Sequence, residues 1–254
     1  MLKPLALCAA ALLACAAGTG PSGGPPQPLT TWFWQLSGTV GTNHPATLYD
    51  IDAEGASAEL VATLHAGGHT VVCYIDAGGW EPYRADADLF PASVIGRKES
   101  GWNEYYLDIR SPTVRSLMAD RMDAAKAKGC DGIEPDVMDT YTSRTGFSIT
   151  KANQIDYAKW WATTAHGKGM IVALKNDAEL VSTLVSFFDF SIAEECFKYA
   201  ECQSYAPFVA AGKAVLLAEY STYSDAKCAK AKARRQTLVF YNLGLDGRKY
   251  QPCP

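Results

Sequence analysis

Histidine is scarce in this sequence, with four residues among 254. None clusters with the cysteines and no C-x-x-C pair occurs, so the common zinc and redox motifs are missing. No glycine-rich phosphate-binding fingerprint follows any strand-like run, which removes the main nucleotide-binding signature. Basic charge is also in deficit: 23 Lys+Arg stand against 27 Asp+Glu, a formal net charge of −4. That balance argues against nucleic acid as a partner and favours neutral or cationic ones. Beyond the N-terminus, no apolar run is long enough to span a bilayer.

What the N-terminus does contain reads as an address. Lys3 precedes the apolar run Leu5 to Leu13, and small residues follow, the layout of a secretory signal. Leu12-Leu13-Ala14-Cys15 has the form of a bacterial lipobox. On that reading residues 1–14 are a signal peptide and Cys15 is acylated; ordinary cleavage near Ala16-Ala17-Gly18 is the alternative. The Gly-, Pro- and Ser-rich stretch to Thr30 makes residues 15–30 a flexible linker, roughly 20 Å in average span. The expected location is the cell envelope, as a lipoprotein, or the medium, as a secreted protein. The only membrane contact expected is through that lipid anchor. Cys73, Cys130, Cys196, Cys202, Cys228 and Cys253 form an even set suited to disulfides in an oxidising compartment. Cys196–Cys202 would close a short loop and Cys228–Cys253 would pin the C-terminal tail. Cys73 and Cys130 either pair or remain buried thiols.

From Thr70 onward, strand-like apolar runs alternate with helical stretches. The runs are Thr70–Asp76, Glu104–Ile109, Asp131–Asp136, Met170–Lys175, Phe188–Glu194, Ala214–Tyr220 and Gln236–Asn242. Near-continuous hydrophobicity is what strands covered on both faces require. Ser111-Pro112 opens a helix that ends at Lys128-Gly129, and Thr150 opens another that runs to Gly167–Gly169. Regular βα alternation implies parallel strands with right-handed crossovers. Thr31–Leu36 and Thr47–Asp52 compete for the eighth place; the second, followed by a helix over Ala56–Ala66, fits the rhythm better. Residues 31–254 are therefore expected to form one (β/α)8 TIM-like barrel, with an additional N-terminal strand possible.

In such barrels the reactive groups gather at the C-terminal strand ends. Here nearly every strand ends on a carboxylate: Asp76, Asp108, Glu134 and Asp136 with Asp139, Asp177 beside Lys175-Asn176, Glu194-Glu195, and Glu219-Tyr220. One or two would be ordinary helix-capping chemistry, but so many on one rim repel unless a cation or a hydroxyl-rich ligand compensates. Lys175 offsets part of the charge. Trp32, Trp34, Trp80, Trp102 and Tyr141 supply faces on which sugar rings stack. Glycoside cleavage needs two carboxyl groups flanking one bond, and by spacing alone several pairs qualify. A metal held by Glu134, Asp136 and Asp139 is a competing reading, weakened because nothing nearby resembles a calcium loop.

At these residues the sequence resembles glycoside hydrolase family 114, the endo-α-1,4-polygalactosaminidases and their TIM-barrel relatives. The matching stretches are Trp32-Phe33-Trp34-Gln35-Leu36, Val72 to Glu81, Tyr106 to Arg110, Gly129 to Asp136, Leu174-Lys175-Asn176, Glu194 to Phe197, and Gly212 to Val215 leading into Glu219-Tyr220. The resemblance implies an α/β barrel that cleaves α-1,4-linked galactosamine polymers internally, with Asp136 and Glu194 as the catalytic pair. Two positions depart from the family pattern. Val137 stands where Asn commonly follows the strand-end Asp, and Ala193-Glu194-Glu195-Cys196 replaces Asn-Glu-Gln-Cys.

The expected mechanism is double displacement with retention, Asp136 attacking the anomeric carbon and Glu194 serving as acid and then base; inversion by the same pair stays open. Asp76, Trp80, Asp108, Glu134, Lys175, Asn176, Glu219 and Tyr220 are the expected substrate-binding residues. No cofactor or metal is called for, and a monomer is expected. The rivals are a sugar-binding barrel lipoprotein without turnover, to which Val137 gives weight, and an exo-acting α-galactosidase-like hydrolase.

Overall fold

A computed structural model of the chain describes residues 24–254. The expected signal peptide, Cys15 and the first part of the linker lie outside them. The last linker residues pack on the barrel: Pro26 is buried, and its carbonyl accepts from Ala214 N at 2.9 Å.

In chain order come β1 (Trp32–Gln35), β2 (Leu48–Asp52), α1 (Ala58–Ala66) and β3 (Thr70–Asp76). Three short strands follow, β4 (Gly79–Trp80), β5 (Ile95–Lys98) and β6 (Tyr105–Leu107). Then α2 (Pro112–Lys128), β7 (Gly132–Asp136), α3 (Lys151–Gly167), β8 (Ile171–Lys175), α4 (Val181–Leu184) and β9 (Phe190–Glu194). The chain ends with α5 (Ala206–Ala210), β10 (Val215–Glu219), α6 (Asp225–Ala233), β11 (Thr237–Tyr241) and β12 (Tyr250–Pro252). The large sheet runs β1-β2-β3-β7-β8-β9-β10-β11-β12, with eight parallel strands and β12 antiparallel at the end. Its edges meet: Trp34 N donates to Tyr241 Oη at 3.1 Å, and Leu36 N donates to Leu245 O at 2.9 Å. The result is the nearly closed TIM-like barrel expected from the strand–helix alternation.

One strand assignment is corrected. Both N-terminal runs enter the barrel, as β1 and β2, whereas the Glu104–Ile109 run does not. Its ordered core, β6, is three residues long and pairs antiparallel with β4 and β5 in a separate sheet. The reason lies in burial: Tyr105 and Tyr106 are only half-buried, while every residue of β8 and β10 is enclosed on both faces.

The helix boundaries follow their chemistry. Ser57 Oγ caps α1 by accepting from Leu60 N. Pro112 occupies the first turn of α2, which Gly129 ends in the left-handed region at φ 100°. Thr150 and Asn153 form a reciprocal capping box at the start of α3. Disulfides join Cys73 to Cys130, Cys196 to Cys202 and Cys228 to Cys253. The first ties β3 to the start of β7, so these two cysteines do pair.

Alternation along the strands sorts side chains into two cores. Trp32, Leu48, Val72, Ala173, Ile192, Leu216 and Val239 fill the barrel interior. Phe33, Ile51, Cys73, Ile133, Leu174 and Leu217 face the helices. Counting on in twos from the inner set reaches Trp34, Asp50, Tyr74, Lys175, Glu194, Tyr220 and Tyr241, and on β7 the same count from Gly132, which pairs with Val72, reaches Glu134 and Asp136. These residues form the floor of the site.

Candidate active site

Lys175 is the hub. It is 1% exposed, and its ammonium lies 2.8 Å from Glu134 Oε1, 3.0 Å from Asp136 Oδ1 and 3.2 Å from Glu194 Oε2. The Trp34 and Tyr74 rings cover it at 4.8 and 5.9 Å. Burial alone would push the Lys175 ammonium down; Asp136, Glu134 and Glu194 together outweigh burial and hold it well above the ordinary lysine value. It therefore stays charged throughout the working pH range.

Each member of the pair has its own donors. Asp136 accepts from Val137 N at 2.8 Å and from Tyr74 Oη at 3.1 Å. Burial, then the Asp136 charge, raises Tyr74 well above ordinary phenol values, so it remains a donor. Glu194 accepts from Tyr220 Oη on one oxygen and from Asn176 Nδ2 at 3.1 Å on the other. Asn176 also takes Glu194 N onto its own Oδ1 at 2.9 Å, so one amide fixes both the backbone and the side chain of Glu194. Fully buried Glu134 lies deeper, receiving Trp34 Nε1 at 3.0 Å. Burial pushes it up to about 7 against the opposing pull of Lys175.

The chain turns sharply just after each of these strands. Val137, Asn176 and Glu195, one residue beyond Asp136, Lys175 and Glu194, all have positive φ, at 55°, 49° and 51°. Asn tolerates this region; a β-branched residue is strained there. The Val137 carbonyl also presses on Gly78, where an added Cβ would lie only 2.1 Å from it. We expect Val137→Asn to raise stability by about 1 kcal/mol, read as a higher urea midpoint. A lowered midpoint would mean that valine's packing outweighs its backbone strain.

Above the floor opens a cleft of roughly 750 Å³. Eleven Asp and Glu line it against a single basic residue, Arg84, so its field is strongly negative. Burial first, then neighbouring carboxylates, pushes Glu99, Glu104 and Asp177 up to about 7. Trp102, 47% exposed on the β5–β6 hairpin, and Tyr199, 61% exposed in the Cys196–Cys202 loop, offer ring faces at the rim.

Residues 13–253 match the family model for glycoside-hydrolase family GH114. The chain belongs to that family. It is a glycoside hydrolase, and its shape agrees: the crystal structure of Aspergillus fumigatus Ega3 in complex with galactosamine superposes with a TM-score of 0.86 at 31% identity, covering 92% of this chain and 99% of that one. The glycoside hydrolase domain of PelA from Pseudomonas aeruginosa shares the fold with a TM-score of 0.69 at 14% identity, covering 90% and 99%. Among curated proteins, none matches the sequence significantly.

In this GH114 chain the structure brings Asp136, Glu194, Glu134, Lys175, Asn176 and Tyr220 together. Four other expected binding residues lie off the cleft lining. Asp108 is clasped by Arg110 at 2.8 Å, which holds it below the ordinary carboxylate value. Glu219 points outward, ion-paired with Lys227 and accepting Phe197 N at 2.9 Å. Trp80 packs edge-on against Tyr105 and donates to Ala87 O at 3.0 Å. Asp76 is fully buried and accepts Gly79 N at 2.7 Å. Of the aromatics, Trp34, Trp102 and Tyr141 line the cleft, while Trp32 is core.

At Glu134 and Asp136 the cation is Lys175 itself. Asp76, Glu81 and Glu104 bring carboxylate oxygens within 4.8 Å of one another, but Arg84 occupies both Glu81 oxygens at 2.6 and 2.7 Å. Sequence reasoning gave no role to Tyr74, Glu99 or Asp50. For Tyr74 and Asp50 the signal was parity: each lies an even number of residues from an inward-facing neighbour on its own strand.

Proposed function

We propose that this hydrolase cleaves α-1,4-linked galactosamine polymers internally, by double displacement with retention. The observation that carries this is the convergence of Asp136 and Glu194 on one buried ammonium at the floor of an acidic cleft. Both carboxylates share the Lys175 ammonium, at 3.0 and 3.2 Å, so their nearest oxygens lie within about 6 Å of each other, which supports the closer spacing of a retaining pair. Asp136 attacks the anomeric carbon while the glycosidic C–O bond breaks, and Glu194 gives its proton to the leaving oxygen. Glu194 then takes a proton from water, which attacks the same carbon and frees Asp136. Lys175 and Tyr74 hold the nucleophile; Asn176 and Tyr220 aim the acid–base.

The cleft's charge supports an amine-bearing substrate, and its volume exceeds what one sugar ring needs. The bound galactosamine in the 31%-identical Ega3 supports the same sugar class. Three disulfides, together with the leader-like N-terminus, support export. Polymer of graded N-acetylation tests the substrate. Partly deacetylated chains should be shortened with higher kcat/KM than fully acetylated ones, and salt should narrow the gap. Acid should narrow it too, because Glu99, Glu104 and Asp177 take up protons below about 7 and the cleft loses negative charge. Absence of cleavage at every acetylation level would overturn the proposed substrate.

A further inference from the structure

Asp50 is a carboxyl in the barrel interior that the proposed reaction does not use. It sits on β2, level with Trp34 of β1 and Val72 of β3, and is fully buried. Among the described residues, no N–H or O–H donor reaches either of its oxygens. The Glu134 carboxyl faces the same barrel interior, close enough that each group's charge acts on the other. Two carboxyl groups hydrogen-bond only if one of them carries a proton. Glu134 already has Trp34 Nε1 on one oxygen and the Lys175 ammonium beside the other, so negative charge is better placed there. Asp50 has neither, and an unpaired buried anion is the costlier of the two.

We infer that Asp50 is a neutral positioning residue: its protonated carboxyl donates to Glu134 and leaves Lys175 shared with Asp136 and Glu194. This rests on Asp136 and Glu194 being the reacting pair. Were Asp50 ionised, a fourth carboxylate would compete for one ammonium, and Lys175 would be drawn down and away from the nucleophile. The charged and titratable groups facing Asp50 are Glu134 and Asp136 from β7, Lys175 from β8 and the Tyr241 phenol from β11. Lys175 is the only cation among them. Burial, then the Glu134 charge, holds Asp50 well above the ordinary carboxylate range, in agreement with the geometry.

Two measurements decide it. At pH 7, well above the ordinary carboxylate value of about 4, the infrared difference between wild type and Asp50→Asn should show the carbonyl band of one protonated carboxyl, lost in the variant. No substrate is involved, so this result stands even if the polymer proves to be the wrong one. Absence of the band overturns the assignment. On polymer, Asp50→Leu, which offers Glu134 no donor, should lower kcat by at least about tenfold with little change in KM. Asp50→Asn, whose amide still donates, should restore most of that loss. Asn falling as far as Leu, or Leu matching wild type, would overturn the positioning role. If Asp50→Leu fails to fold, the comparison of Asp50→Asn with wild type and the infrared band still decide.

Discussion

Asp136→Asn and Glu194→Gln should each lower turnover by at least roughly 10²–10⁴-fold while leaving the fold nearly intact. Both substitutions keep volume and polarity but abolish the anion or the cycling proton. Both side chains face the cleft, 22% and 24% exposed, so neither change opens a cavity in the core. The two variants should also differ in kind. Azide can enter the space left by a disabled nucleophile, or attack the covalent intermediate when the base is disabled. With a substrate carrying a good leaving group, rescue of Asp136→Asn should give the inverted glycosyl azide. Rescue of Glu194→Gln should give the retained one. Exchanged outcomes would reverse the two roles, and wild-type rates in either variant would remove that residue from the chemistry.

Lys175→Met should cost more in stability than either catalytic change. It leaves Glu134, Asp136 and Glu194 converging with no cation among them, and breaking a buried ion pair by removing one partner typically costs about 3–5 kcal/mol. The sign with pH follows from Glu134. Burial raises it to about 7 even with Lys175 present, and without Lys175 its folded value rises further above the unfolded one. The folded variant then binds more protons than the unfolded chain, so its deficit is largest above pH 7 and shrinks in acid. Urea unfolding of both proteins at pH 8 and pH 5 checks this. A variant as stable as wild type at pH 8 would mean that the cluster does not need its ammonium.

Much of this architecture was legible because strands enclosed on both faces are continuously apolar. β3, β7, β8, β9, β10 and β11 follow from that pattern. The Glu104–Ile109 run misled because two tyrosines and a leucine look the same whether a strand is covered on both faces or pairs in a small surface sheet. That error carried Asp108 with it, since a strand end outside the barrel does not face the cleft. Glu219 failed for a different reason. It ends a true barrel strand, but alternation from Leu216 and Ala218 sends Tyr220 inward and Glu219 out toward Lys227. The same parity reaches Asp50 from Leu48, so strand ends alone were too coarse a guide. Convergence of three carboxylates on Lys175 depends on register between β7, β8 and β9, which no single segment encodes.

The most direct measurement is proton NMR of wild-type enzyme acting on partly deacetylated α-1,4-galactosamine polymer, read before mutarotation scrambles the new reducing ends. Retaining internal cleavage predicts that the first new ends are α anomers carried on oligosaccharides of many lengths. First-formed β ends would contradict double displacement by Asp136 and Glu194, and no new ends at all would contradict the proposed activity.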